Sequence, residues 1–535
     1  AAVARLSPGC ANDDDRPVKS PIDPETDFYG VVADNHGRPL QGVVVSDGYS
    51  CTATDENGVY QLTGCEHSYQ IYVSVPAEYE IPLGEGLPRF WQPIAAGRKR
   101  YDFTLTPLAG GKESAFNLFC VADPQCQNNS HIARFENETV PDIAGQAAAS
   151  DLPCYGITLG DIGYNTANTD YTNAVFPLMK RAMQAQKTGL PLFQLMGNHD
   201  YEVISVSKEE YTDAHDIAAQ RNFEYAFGPI NYSFDRAAAR RGYDLGHRAR
   251  QIREEDFDRF DMIVAMDDMI FRNHDDYALG FRDDQVAWLA ADLSFVPKEK
   301  MVILCTHMPL RDGTAQNVQA VLDLLEGYAE VHVMTGHTHY AENLIYADRH
   351  PGIYEHVHGA VCGAWWQSTI NTDGTPNGYA VYRIEGPSIA SWKYKGTGLD
   401  IGCQIRLYRA GDLFMEGYTP NYRFSYAEEG QIVANVWNAD ETWKIEVYEN
   451  GVRTGEMEPF GDDATKRDAW ASGYHCGVLG RNPDNYDRTN TSHLFHYTLR
   501  NPSAETEVRA TDPFGNVYTQ SHLTTGSAAD YPAYE

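Results

Sequence analysis

Hydrophobic positions change their rhythm twice along this chain. Between residues 27 and 107, short apolar runs (28–32, 43–45, 60–62, 70–75 and 101–105) alternate with the turn sequences Asn35-His36-Gly37, Ser46-Asp47-Gly48 and Asp55-Glu56-Asn57-Gly58. Period-two strands and turn residues at short spacing predict an antiparallel β-sandwich. Residues 108–112 read as a linker. Over 114–395 the pattern becomes strand alternating with helix. Apolar runs at 116–121, 155–159, 190–196, 301–305 and 331–334 are interleaved with helical periodicity at 170–187, 283–293 and 316–325. That alternation predicts a layered α/β domain. From 396 to 535 short strands return, clearest at 432–437, 443–449, 493–499 and 507–510, with Asn450-Gly451 and Phe514-Gly515-Asn516 as hairpin turns. A second β-sandwich is expected there. Residues 1–26, with Pro8, Pro17, Pro21 and Pro24, read as a flexible tether.

The apolar runs of the middle segment end alike. They stop on Asp123-Pro124-Gln125, Gly160-Asp161, Gly197-Asn198-His199-Asp200, Thr306-His307 and Gly336-His337-Thr338-His339. One polar strand end is ordinary turn chemistry. Five in succession that carry carboxylate, amide and imidazole groups form a donor set for divalent transition metals, gathered on the edge where open α/β sheets bind ligands.

Composition narrows the partners. The chain has 535 residues, too many for one core, and 42 basic against 75 acidic residues give a formal net charge of -33. Such a surface disfavours nucleic acid and anionic membranes. It would also repel a phosphate-bearing substrate unless metal ions supply local positive charge. No run of 18 apolar residues suggests a membrane span. Ten cysteines are scattered without C-x-x-C pairs. Cys120, Cys305 and Cys362 read as core residues, and Cys51 with Cys65 as a candidate disulfide in adjacent strands. Cys10 follows Leu6-Ser7-Pro8-Gly9 and precedes Asn12-Asp13-Asp14-Asp15. That stretch resembles a trimmed bacterial lipoprotein signal with an acidic export tag, which implies a lipid anchor at Cys10 and an extracytoplasmic location, in the periplasm or at the cell surface.

The ordered strand-end motifs resemble the calcineurin-like metallophosphoesterases over roughly residues 114–395. The run from Gly30 to Val43 with Pro39 and Gly42, followed by Thr54-Asp55 and Gly58, resembles a carboxypeptidase-regulatory-like sandwich, an accessory module. The loop Asp373-Gly374-Thr375-Pro376-Asn377-Gly378-Tyr379 resembles a subgroup with an added C-terminal β domain. The resemblance implies a dinuclear centre of Mn, Fe or Zn. Asp161 would bridge both ions; Asp123, Gln125 and His339 would complete one, and Asn198, His307 and His337 the other. A hydroxide between the ions would attack phosphorus in line. His199 would face the leaving oxygen, with Asp200 orienting its imidazole.

Gln125 departs from the family pattern, where histidine is usual. An amide oxygen is the weaker donor, which implies looser binding of the first metal or a preference for a harder ion than Zn²⁺. His358, Trp365 and Trp366 are candidates to line the substrate cleft, against core packing for the tryptophans. Asp267-Asp268 reads as a strand-end turn, Asp213 and His215 as a solvated helix face, and the arginines from Arg236 to Arg253 as a surface insertion. The reading is a phosphatase or phosphodiesterase; the rival is a non-catalytic surface lipoprotein that binds an extracellular ligand through the same site.

Overall fold

The computed structural model describes residues 16–164, 174–201, 210, 212–236, 262–273, 276–311, 313–346, 350–409, 430–459, 467–486 and 489–524. Its centre is a pair of sheets packed face to face. The first has five strands in the order β3-β2-β1-β10-β11, where β1 is Ala115–Val121, β2 Cys154–Thr158, β3 Leu192–Phe193, β10 Gly378–Glu385 and β11 Ile389–Gly396. The second has six in the order β4-β5-β6-β7-β9-β8: β4 is Asn231–Asp235, β5 Met262–Met266, β6 Met301–Cys305, β7 Glu330–Thr335, β8 Glu342–Tyr346 and β9 Ile353–Val357. The strands β1, β2 and β3 run parallel, as do β5, β6, β7 and β9; β10, β11, β4 and β8 are antiparallel edges or returns.

Alternation along each strand sorts the core. Leu118, Cys120, Ile157 and Phe193 meet Ile263, Ala265, Ile303, Cys305 and Met334 between the sheets. The opposite faces are covered too. Phe119 and Val121 pack on Ile132, Phe135 and Ile143. Val264, Val302, Leu304 and Val333 pack on Trp288 and Leu289 of helix α1 (Asp283–Leu293) and on Val321 and Leu322 of α2 (Val318–Leu325). Burial on both faces is why these parallel strands read as unbroken apolar runs.

A three-stranded and a four-stranded sheet form the N-terminal sandwich around Val32, Val45, Ile71, Val73 and Phe103. It is seated firmly on the middle layer. Ser74 and Ser233 share a hydroxyl contact of 2.6 Å, Tyr72 donates to the Asn231 carbonyl at 2.8 Å, and Trp288 donates to Ser46 at 3.1 Å. The C-terminal part holds a five-stranded and a four-stranded sheet around Leu407, Ala434, Val436, Ile445, Val447 and Val508. The fold is thus layered α/β with all-β sandwiches on both sides.

Some expectations are corrected. Cys51 and Cys65 are free thiols, not a disulfide. The run 190–196 gives only two ladder residues, because Leu195 turns its amide to the Thr158 hydroxyl and Gln194 gives its carbonyl to Tyr232. The C-terminal part carries helical turns at Ala469–Ser472 and Gly473–Val478 that the strand pattern hid. Cys10 lies outside the described residues, as do Arg240, Arg241, Arg248, Arg250 and Arg253; Arg236 is buried over the Tyr155 ring rather than on a surface.

Candidate metal centre

The carboxyl ends of β1, β2, β3, β6 and β7 converge at one edge of the paired sheets. One donor atom from each of Asp161, His307 and His337 lies within 4.8 Å of the others, and the same holds for Asp123, Asp161 and His339. Asp161 belongs to both groups. The Asn198 side-chain oxygen stands 2.9 Å from His307 Nε2 and 2.9 Å from His337 Nδ1. Gln125 donates its amide to Asp161 Oδ2 at 2.8 Å and keeps a buried Oε1 with no hydrogen-bond partner. Seven residues from five strand ends therefore meet around one carboxylate.

Backbone geometry singles out the same residues. Asp123, Gln125, Asp161, His337 and His339 all have positive φ, between 39° and 65°. Non-glycine residues held there cost of order 1–3 kcal/mol each and cluster at functional sites. The glycines of the motifs have a different duty. A Cβ on Gly160 would meet His307 Nδ1 at 2.5 Å, one on Gly197 would meet Asp161 N at 2.3 Å, and one on Gly336 would meet Asp123 Oδ2 at 2.6 Å. Each motif's glycine makes room for another motif's ligand.

Electrostatics prepares the donors. His307 Nδ1 donates to the Leu159 carbonyl at 2.7 Å, which fixes the tautomer and leaves Nε2 aimed at the cluster. Burial opposes the charged forms, yet His307 and His199 beside Asp161 hold its carboxyl well below the usual range, and Asp161 with Asp123 lifts His307 to about 10. Burial, together with His307, pushes His337 down to about 3, and burial pushes His339 to about 4, so both keep free lone pairs. Burial raises the Asp123 carboxyl well above the usual range. Two carboxylates, two amide oxygens and three imidazoles, with an orphaned Gln125 oxygen among them, demand positive charge. Divalent cations meet that demand, and the set fits them.

Asp200 does not orient His199. Its carboxylate accepts from Ile162 N at 3.1 Å, Gly163 N at 2.8 Å and Gly197 N at 3.0 Å, tying the Asn198-His199 turn to the Asp161 loop. His199 donates its backbone amide to Asp161 Oδ1 at 2.7 Å, and its ring stacks on Tyr164 at 4.5 Å. The residues Asp267 and Asp268 are also more than a turn. Both are buried; Asp268 takes the Met308 amide at 2.6 Å, which fixes the loop carrying His307, and Asp267 takes the Tyr201 hydroxyl at 2.8 Å. A doubled carboxylate directly after an apolar strand was the available signal. His215 Nδ1 lies 3.1 Å from the Thr212 amide, within its own helix.

A cavity of about 620 Å³ opens over the cluster, lined by Gln125, Asp161, His199, His337, His339 and Trp365. Trp366 instead buries its indole, donating to the Pro124 carbonyl at 2.9 Å. His358 sits between the two sheets, with the Thr335 carbonyl at 2.8 Å and the Tyr382 hydroxyl at 2.9 Å, and does not line the cavity. Burial pulls it down to about 4, so it is a neutral core histidine.

Comparison with known proteins brackets this cluster. The family model for the N terminal of calcineurin-like phosphoesterase matches residues 26–108, and that for the C terminal of calcineurin-like phosphoesterase matches residues 355–518. A model for low molecular weight phosphotyrosine protein phosphatase matches residues 230–332. The single cysteine of that stretch, Cys305, is fully buried and its thiol is pushed far up by burial, so it offers no thiolate. No curated protein matches in sequence. Among solved structures, phosphopantetheinyl hydrolase from Mycobacterium tuberculosis is 13% identical with a TM-score of 0.29, over 46% of this chain and 90% of that one. The 5'-nucleotidase precursor from Thermus thermophilus (11%, 0.30, 53% and 55%) and the 5'-nucleotidase from Candida albicans (12%, 0.28, 53% and 52%) are also similar, and the chain spans about half the length of each. The two family models lie on either side of a cluster that presents the expected strand-end motifs in order; the chain is similar to the calcineurin-like phosphoesterases and is a metal-dependent hydrolase of phosphoesters.

Proposed function

We propose that the cluster is a dinuclear centre that hydrolyses phosphoesters outside the cytoplasm. Asp161 is shared; Asp123, Gln125 and His339 hold one cation, and Asn198, His307 and His337 the other. When bound, two such ions supply Lewis-acid stabilisation and a water nucleophile that is ionised near neutrality. The chain's own residues do the rest. The Leu159 carbonyl fixes the His307 tautomer, and Asp200 and Asp268 fix the two loops that carry Asn198 and His307. His199, which lines the cavity, donates a proton to the leaving oxygen. Residues 114–395 are the catalytic domain, 27–107 an accessory sandwich and 396–535 a C-terminal β domain, with lipidation at Cys10; of the expected tether 1–26, Arg16 and Asp23 are bonded onto the sandwich, to the Phe103 carbonyl at 2.9 Å and to Gln61 at 2.7 Å.

The observation that carries this reading is the pair of donor groups that share one buried carboxylate. Metal-stripped protein supplied with Mn²⁺ is expected to hydrolyse p-nitrophenyl phosphate, its bis-ester, or both. Absence of turnover with metals demonstrably bound would leave a binding protein instead. His199→Ala is expected to lower kcat by roughly 10²–10⁴-fold, the usual contribution of a positioned general acid. Full activity in that variant removes the acid role.

A further inference from the structure

The cavity extends beyond the donor cluster to Trp365, to Thr372 and to Asn485, Thr489 and Asn490. Trp365 is half-buried, and its indole meets the ring of Tyr486, next to Asn485, at 6.0 Å. Trp365 is part of a strained turn. Ala364, Trp365 and Trp366 have φ of 45°, 56° and 65°, three consecutive left-handed residues without glycine. Such strain persists only where the surroundings over-determine it. Here Trp366 is anchored through Pro124, and its carbonyl accepts from Arg134 at 2.7 Å. The result is to hold the Trp365 indole 5.1 Å from the His339 ring, next to the reacting centre.

The Thr372 part of the cavity wall is seated by a buried polar clamp. Asp373 accepts the Ala341 amide at 2.9 Å and faces His493 Nε2 at 3.2 Å, while Asn435 donates to the Asp373 carbonyl at 2.9 Å and to Asp468 at 2.7 Å. These contacts fix the loop that carries Thr372 onto the C-terminal sheets. The Thr372 and Thr489 hydroxyls then meet at 2.7 Å across the junction.

We propose that this wall binds the organic group of the ester and that the group is a sugar, so that the substrate is a sugar phosphate; the proposal rests on the reading of the centre as a phosphoester hydrolase. The wall's chemistry separates the candidates. Among the described lining residues there is no lysine or arginine, and the chain carries a net charge of -33. Polyphosphates and acidic phosphopeptides require cationic partners. Trp365, with Tyr277 and Tyr340, gives the cavity aromatic surface that suits the apolar face of a sugar ring, and Tyr486 meets Trp365 edge-on at 87°. Amides and hydroxyls that both donate and accept suit sugar hydroxyls, which do the same. The cavity volume falls in the range that encloses a small organic ligand.

The test compares a hexose phosphate, adenosine monophosphate, a phosphotyrosine peptide and p-nitrophenyl phosphate as substrates of the Mn²⁺-loaded full chain. The hexose phosphate is expected to have the highest kcat/KM among the biological esters, by about tenfold. Trp365→Ala, and separately the surface change Asn490→Ala, should lower the ratio of hexose phosphate to p-nitrophenyl phosphate kcat/KM by about tenfold, through KM. Adenosine monophosphate or the peptide turned over as well or better overturns the proposal, as does an unmoved ratio. If no ester is hydrolysed, the hydrolase reading fails on its own. The wall is then judged by saturation-transfer NMR of the hexose phosphate on metal-free protein. Transfer that is lost in Trp365→Ala supports the proposal, and no transfer to the wild type overturns it.

Discussion

Gly197→Ala should disable the centre without a backbone penalty. Gly197 has φ of -117° and ψ of 177°, a conformation open to alanine. The added methyl, however, would lie 2.3 Å from Asp161 N, 2.4 Å from its Oδ1 and 3.0 Å from its Cγ, against 3.4 Å or more for ordinary contact. Something must retreat by about 1 Å. Asp161 has no slack, because its carboxylate is gripped by the His199 amide at 2.7 Å and by Gln125 at 2.8 Å. Metal ligation tolerates displacements of only about 0.2 Å. A misplacement of about 1 Å at a reacting centre costs on the order of 10²-fold in rate. The assays are calorimetric titration of Mn²⁺ into metal-free protein and kcat/KM for p-nitrophenyl phosphate, with circular dichroism as the check on folding. Gly145→Ala is the matched control, since a Cβ there meets nothing within 4 Å. A folded Gly197→Ala protein with wild-type Mn²⁺ affinity, and activity within about twofold of wild type, refutes the argument that this glycine exists to admit Asp161.

Asp200→Asn replaces one acceptor oxygen with a donor that must face a backbone amide, so one or two buried N–H groups lose their partner. Destabilisation of about 1–3 kcal/mol per group, read by urea unfolding, is expected. An unchanged midpoint contradicts the role of Asp200 as a staple of the turn. Glu355, fully buried with Tyr346 and Leu310 N at its carboxyl, is pushed up to about 7 by burial. Its unfolded value lies near 4.5. The native state therefore holds the extra proton between pH 4.5 and 7, and stability falls as pH rises through that window, by about 3 kcal/mol. Glu355→Gln should flatten that slope in stability measured against pH, and an unaltered slope excludes this carboxyl as its source. Titration of metal-free protein should give one tight and one weaker site for Zn²⁺, with Gln125→His tightening the weaker one. Equal, tight zinc occupancy in the wild type contradicts the assignment of Gln125 to the weaker site.

The donor set was legible because ligand chemistry sits at fixed places in the pattern. Apolar runs that end on Asp, Asn or His mark strand ends, and a parallel sheet buried on both faces produces such runs. The neighbouring roles were not legible. The resemblance implied that Asp200 orients His199, yet Asp200 bonds to amides of the Asp161 loop, about forty positions earlier. Asp268 looked like a turn, yet it anchors the loop of His307. Cys51 lies on the strand Cys51–Ala53, but Cys65 falls in the loop after the strand Val59–Leu62, so the two are not on adjacent strands as expected and remain free thiols. His358 and Trp366 follow the ligand motifs closely but turn into the core, while Trp365, one residue away, turns out.

Gly160, Gly197 and Gly336 mark the boundary between the two kinds of information. By itself the sequence determined the order of the strand ends, the chemistry each would deliver, and the β-rich character of both flanks. Those follow from periodicity and residue type, which are local. The tertiary structure alone decided what each strand end stands next to. Gly197 is extended and serves by having no side chain where Asp161 must lie. The cleft wall is likewise assembled from residues more than a hundred positions apart. Steric exclusion and shared coordination act through space, and the order of residues along the chain does not encode their separations.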